Sequence, residues 1–160
     1  FMKSWFLVLT VLAALPSASA QTPGLPRGET YVFAAPFARP VFGGRATYVA
    51  GRGEVFLYRG ASIGAEVGPV ISSSEAGGNY VFGLGSANVA YHFSRESKIE
   101  AFLGAGYSVT FRAGVANGSH VGAGVNVWQK KNMALRFEFR AYLGRLRIDE
   151  VGPCFGVTSR

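Results

Sequence analysis

The sequence predicts an all-β protein: an eight-stranded antiparallel, up-and-down transmembrane β-barrel. Three observations carry this reading. Hydrophobic residues make up 49% of the 160 residues and charged residues only 16%, against about a quarter charged in an ordinary soluble domain. Glycine is heavy at 22 residues, roughly twice its usual share. After the N-terminal segment, no run of about 18 apolar residues could cross a bilayer as a helix. A closed barrel reconciles these facts, because alternate residues touch hydrocarbon and every backbone polar group is paired between strands.

Residues 1–20 read as a secretory signal peptide. Lys3 gives a basic start, Trp5 to Leu15 an apolar centre, and Ala18-Ser19-Ala20 a small-x-small cleavage pattern before Gln21. Phe1 precedes Met2, which reads as the true start, and removal of the segment leaves 140 residues. An apolar segment of eleven residues is too short for a membrane anchor. Residues 21–29, QTPGLPRGE, are Pro- and Gly-rich and read as a flexible leader. The barrel is assigned to 30–160.

Eight β-like runs follow, separated by turn clusters. The run 30–38, TYVFAAPFA, contains Pro36, which cannot donate to a ladder and favours an edge or strand end. In 46–58, Val49, Val55 and Leu57 oppose Arg52 and Glu54, with Tyr48, Phe56 and Tyr58 near the ends. In 61–68, Ile63, Ala65 and Val67 oppose Gly64, Glu66 and Gly68. The run 80–93 sets Ala87, Val89, Tyr91 and Phe93 against Ser86, Asn88 and His92. The clearest run is 98–112, KIEAFLGAGYSVTFR, where Ile99 to Phe111 at odd positions are apolar and Glu100, Gly104, Gly106, Ser108, Thr110 and Arg112 face the other way. A helix would scatter these residues around its axis; a strand sorts them onto two faces. The same alternation marks 119–128, 133–143 and 149–158. Arg59-Gly60, Ser94 to Ser97 and Gln129 to Asn132 read as short periplasmic turns, and 39–45, 69–79, 113–118 and 144–148 as outward loops.

If the apolar face meets lipid, the polar face fills the barrel. The expected inward charges are Arg52, Arg112, Arg136 and Arg140 with Glu54, Glu66, Glu100 and Glu138. Buried charges need partners, and this set is balanced in sign, which favours a paired network plugging the lumen over an ion pathway. The net charge of +7 is scattered through β-patterned runs, so anionic lipid headgroups are the expected counterpart rather than nucleic acid. Cys154 cannot form an internal disulfide and reads as a small packed residue of the last strand.

The ordered segments AEVG (Ala65 to Gly68), ANVAYHF (Ala87 to Phe93), FLGAGYSVTFR (Phe102 to Arg112) and GVNVWQKKNMALRFEFR (Gly124 to Arg140) resemble the outer-membrane β-barrel domain family of small bacterial surface proteins, the group typified by the OmpA transmembrane domain and OmpX. The resemblance covers about residues 30–160. It implies a Gram-negative outer membrane, lipids and lipopolysaccharide as surroundings, and insertion by the outer-membrane assembly machinery. That machinery reads an aromatic near the C-terminus, whereas this sequence ends Phe155-Gly-Val-Thr-Ser-Arg160.

Catalytic and ligand-binding patterns are few. His92-Phe93-Ser94 resembles the His-x-Ser of outer-membrane lipid A deacylases, where the histidine activates the serine, but Arg95 follows instead of the expected Asn and Ser94 falls at a turn. A strand-end histidine is the preferred reading. His120 reads as a solvated histidine at a loop–strand junction, and two distant histidines make no metal site. Gly83-x-Gly85 and Gly104-x-Gly106 lie inside alternating runs with no following helix, so they are not nucleotide loops. Tyr48, Tyr58, Tyr80, Tyr107, Trp128 and Tyr142 read as interface or lumen aromatics. The expected function is therefore that of a monomeric structural or surface-interaction barrel without cofactor. The alternatives are a lipid A esterase on the same fold, or a secreted soluble barrel holding an apolar ligand, with its Arg and Glu residues facing out.

Overall fold

A computed structural model describes residues 27–37, 45–74, 78–112, 115–144 and 151–160. The expected signal peptide and most of the leader lie outside the described residues. Eight strands run in chain order: β1 Gly28–Phe37, β2 Arg45–Tyr58, β3 Ala61–Ser74, β4 Gly78–Phe93, β5 Ile99–Phe111, β6 Asn117–Lys130, β7 Met133–Gly144 and β8 Val151–Ser159. Each pairs antiparallel with its neighbours, and β1 pairs with β8 to close the ring.

The period of two decides which way each side chain points. Along β2, Ala46, Tyr48, Ala50, Arg52, Glu54 and Phe56 are buried while Thr47, Val49, Gly51 and Gly53 are exposed. On the outer wall Val32, Val67, Val89, Leu103, Phe139 and Val157 are all exposed. The outer wall is apolar, and Arg52, Glu54, Glu66, Glu100, Arg136, Glu138 and Arg140 face in, whereas the soluble ligand-binding alternative needs its Arg and Glu residues outside.

The turns follow from local chemistry. Arg59 and Gly60 both have positive φ, 42° and 91°, and Tyr58 pairs with Ala61 across them. That is the two-residue geometry whose twist matches the flanking strands. Lys131 and Asn132 also join Lys130 to Met133 in two residues, but without positive φ, and the ladder beside them shifts register between Trp128 and Lys130.

Two boundaries differ from expectation. Residues 69–79 were expected to form an outward loop, yet β3 continues to Ser74 and β4 starts at Gly78. Alternation persists there, with Val70 and Ser72 inward and Ile71 and Ser73 outward. Pro69 hid it: the β2–β3 ladder lapses between Tyr48↔Val70 and Gly51↔Val67, opposite Gly68 and Pro69, and then resumes. At the other, the start of β1, Gly28 and Glu29 were expected in the flexible leader yet already pair with Val55 and Glu54; β1 pairs with β2 over its whole length but with β8 only from Thr30 to Ala34. Extending that register sets Pro36 opposite Pro153. Neither has an N–H to give, and the ladder stops short of them.

Candidate functional site

The interior of the barrel is the candidate site, and it has two halves. Near the loops, Phe33, Ala35, Tyr48, Val70, Leu84, Tyr142 and Cys154 form one apolar cluster. Near the turns and at mid-barrel the interior is ionic. Among the described residues Glu29, Glu54, Glu66, Glu100 and Glu138 are buried there with Arg52, Arg95, Arg136 and Arg140, and Arg160 joins them from the end of β8.

The mid-barrel group centres on Glu66 and Glu138. Arg140 Nη1 donates to Glu66 Oε1 at 2.6 Å, and Arg140 Nε to Glu138 Oε1 at 2.9 Å. Arg136 reaches Glu138 Oε2 through Nε and Nη2 at 3.3 and 3.2 Å. Arg52 lies between Glu54 at 3.4 Å and Glu66 at 3.8 Å. The guanidiniums also lie on aromatic faces, Arg136 at 3.6 Å from the Phe102 ring centre and 4.2 Å from that of Tyr31. Long side chains from facing strands meet here because glycines leave room. A Cβ on Gly122 would lie 2.8 Å from Glu138 Oε1, and one on Gly124 would strike the Phe102 ring.

The turn-end group is built around His92. Its Nε2 lies 2.9 Å from Glu54 Oε1 and its Nδ1 2.5 Å from Glu100 Oε1. The ring stacks on Phe102 and meets Phe56 edge-on. Ser62 donates to Glu54, and Trp128 Nε1 donates to Glu100 Oε2 at 3.0 Å. Arg160 bridges Glu29 at 2.9 Å and Glu100. Arg95, in the β4–β5 turn, adds a contact to Glu29 at 3.6 Å, and its guanidinium lies over the Phe56 ring. Burial pushes the Arg95 guanidinium below its ordinary value, while Glu29 pulls it back up.

Seven of the eight expected charges lie in this interior. Arg112 does not. Its φ of 77° follows the last residue of β5 and the side chain is exposed. The strand's alternation ends at Phe111, so the inward parity assigned to residue 112 no longer applies. Glu29, Arg95, Arg160 and His92 were not anticipated as network members.

His120 departs from the solvated reading, while His92 keeps its expected place near a strand end. His120 is 3% exposed, with Ser108 Oγ 2.8 Å from Nδ1 and Asn88 Oδ1 2.7 Å from Nε2. His92 spends both nitrogens on carboxylates, while Ser94 is exposed in the turn with a φ of 54°. His92 and Ser94 thus do not form a base and nucleophile. Of the six aromatics singled out, Tyr48, Trp128 and Tyr142 are inside, and Tyr58, Tyr80 and Tyr107 outside.

Glu29, His92 and Glu100 could each offer one atom to a metal, the atoms lying within 4.8 Å of one another. Arg160 already spans the two carboxylates, so its guanidinium occupies the role a cation would take. Between Arg52, Asn88, Phe102, His120, Arg136 and Glu138 the packing leaves no room for a water-sized sphere.

No protein-family model matches the chain, and no curated protein matches it. Solved structures do. The chain is similar to a structure from the de novo design of transmembrane β-barrels, with a TM-score of 0.63, 13% identity, and coverage of 88% of this chain and 98% of that one. It is similar to Neisserial surface protein A, with a TM-score of 0.64, 15% identity, and coverage of 82% and 95%. It is also similar to the N-terminal β-barrel domain of Pseudomonas aeruginosa OprF, with a TM-score of 0.62, 14% identity, and coverage of 83% and 96%. At these identities the likeness is one of fold. The shared fold is the closed antiparallel β-barrel, built here from eight strands.

Proposed function

We propose that this chain is a structural or surface-interaction barrel of a bacterial outer membrane, with a plugged lumen and no catalytic activity. One observation carries the reading: an apolar wall faces outward around an interior whose five Glu and five Arg residues are paired. Such a wall has no stable place in water, and an eight-stranded ring is just wide enough for its own side chains to fill. The similar solved structures support the outer-membrane setting. Export through a cleaved signal peptide at residues 1–20, insertion by the assembly machinery and contact with lipopolysaccharide belong to the same reading, as does a monomeric state.

The deciding experiment compares gel mobility of detergent-folded protein before and after boiling, beside circular dichroism. A β spectrum with heat-modifiable migration is expected. Solubility without detergent and an unchanged band would overturn the membrane assignment. Planar-bilayer recording addresses the plug, and steady single-channel currents would contradict it.

A further inference from the structure

The turn end of the barrel carries an exposed ring of basic side chains. Arg27 precedes β1, Arg59 sits in the β2–β3 turn, Lys98 ends the β4–β5 turn, and Lys130 and Lys131 lie at the β6–β7 turn; all five are exposed. Among the described residues Glu96 has the one exposed carboxylate side chain at this end, because Glu29, Glu54 and Glu100 are turned inward and paired. The three turns fall at every second junction of the eight-stranded ring, and Arg27 leads into β1, one of the two strands of the remaining such junction, its carbonyl accepting from the Phe56 N–H of β2. Each quarter of the circumference therefore holds at least one cation.

That distribution tells against a single docked partner, which would gather the charge on one side. It fits a partner that surrounds the wall. Just above the ring, Tyr58, Tyr91, Phe93 and Met133 are exposed, and the Arg59 guanidinium lies 5.1 Å from the Tyr58 ring centre. Between this belt and the loop end, no described residue on the outer wall is charged until Arg45 and Arg112. An aromatic belt bordered by cations is what headgroup depth favours, and anionic headgroups attract basic groups near the surface.

We propose that this ring binds the phosphates of anionic phospholipids in the leaflet that meets the turns, selecting them over zwitterionic lipids. The proposal rests on the membrane reading above and adds a lipid preference to it. The test is native mass spectrometry of detergent-folded protein given phosphatidylglycerol and phosphatidylcholine at equal concentration. Retention of phosphatidylglycerol is expected to exceed that of phosphatidylcholine by on the order of tenfold, given that each basic group near a charged surface contributes a few-fold. The quadruple variant Arg59→Gln, Lys98→Gln, Lys130→Gln, Lys131→Gln should approach parity, with its heat-modifiable band showing that it still folds. Arg45→Gln with Arg112→Gln, at the opposite end, should keep the preference. Should the quadruple variant not fold, ammonium acetate near 1 M, where screening acts within about 3 Å, should shrink the native protein's preference instead. Equal retention of both lipids by the native protein overturns the inference, as does a preference that survives in the quadruple variant or disappears only in the Arg45 and Arg112 variant. Retention of neither lipid, together with an unshifted gel band, would instead bring down the membrane reading itself.

Discussion

The two halves of the lumen solve the same problem by opposite means. Near the loops, Phe33, Tyr48, Val70, Leu84 and Tyr142 fill the barrel as an ordinary apolar core. Near the turns the filling is guanidinium, carboxylate and imidazole, with Phe56, Phe102 and Trp128 between them. An apolar filling tolerates a missing atom at the cost of a cavity. A buried ionic filling does not, because removing one partner strands the other. The halves therefore differ in how steeply each responds to a single change.

The largest expected effect tests this directly. Arg140→Ala leaves Glu66 and Glu138 each short of a guanidinium, and should cost about 3–5 kcal/mol in urea unfolding from lipid vesicles. Leu84→Ala in the apolar half should cost about 3 kcal/mol by the same measurement, with the loss set by how far Phe82 and Val70 relax into the space. If Leu84→Ala proves the more damaging, the contrast between the halves is wrong. Gly124→Ala sharpens it further, since the added methyl meets the Phe102 ring and the Phe137 carbonyl; a loss of about 2 kcal/mol is expected, seen as an earlier unfolding midpoint. The smallest effect belongs to Arg112→Gln, whose side chain is outside the network and should change stability by no more than about 0.5 kcal/mol. A larger shift would mean that Arg112 joins the interior after all.

The same contrast explains what could be read in the sequence. Alternation made the outer wall and the mid-strand charges legible, since Arg52, Glu54, Glu66, Glu100, Arg136, Glu138 and Arg140 all sit inside long period-two runs. Glu29 shares the inward parity of Tyr31 and Phe33 but precedes the run assigned from residue 30, Arg160 keeps the parity of Thr158 one residue past the end of β8, and Arg95 lies in a turn, where parity gives no guidance. His120 was within reach, because it shares the inward parity of Gly122 and Asn126. The solvated reading weighted the neighbouring loop over the strand. His92 shared the inward parity of Ser86 and Asn88, but nothing local announced that Glu54 and Glu100, on other strands, would meet it. The apolar half was the least legible part, since a rule of apolar outside and polar inside has no place for Phe33 or Leu84 pointing inward.

The β1–β8 seam has a consequence for how the chain reaches this state. Every other ladder joins sequence neighbours and can zip outward from its own connection. The seam must bring together the first and last strands, with Arg160 meeting Glu29 across 131 positions. It therefore carries the largest loop-closure entropy of any contact in the ring, and it meets that cost with only the five pairs from Thr30 to Ala34. Closure is expected to come last and to reopen first. The Arg160–Glu29 clasp then acts as the latch of a sheet that has already formed. Backbone amides along Thr30 to Ala34, and along the paired segment from Phe155 to Ser159, should exchange with deuterium before those of any interior hairpin.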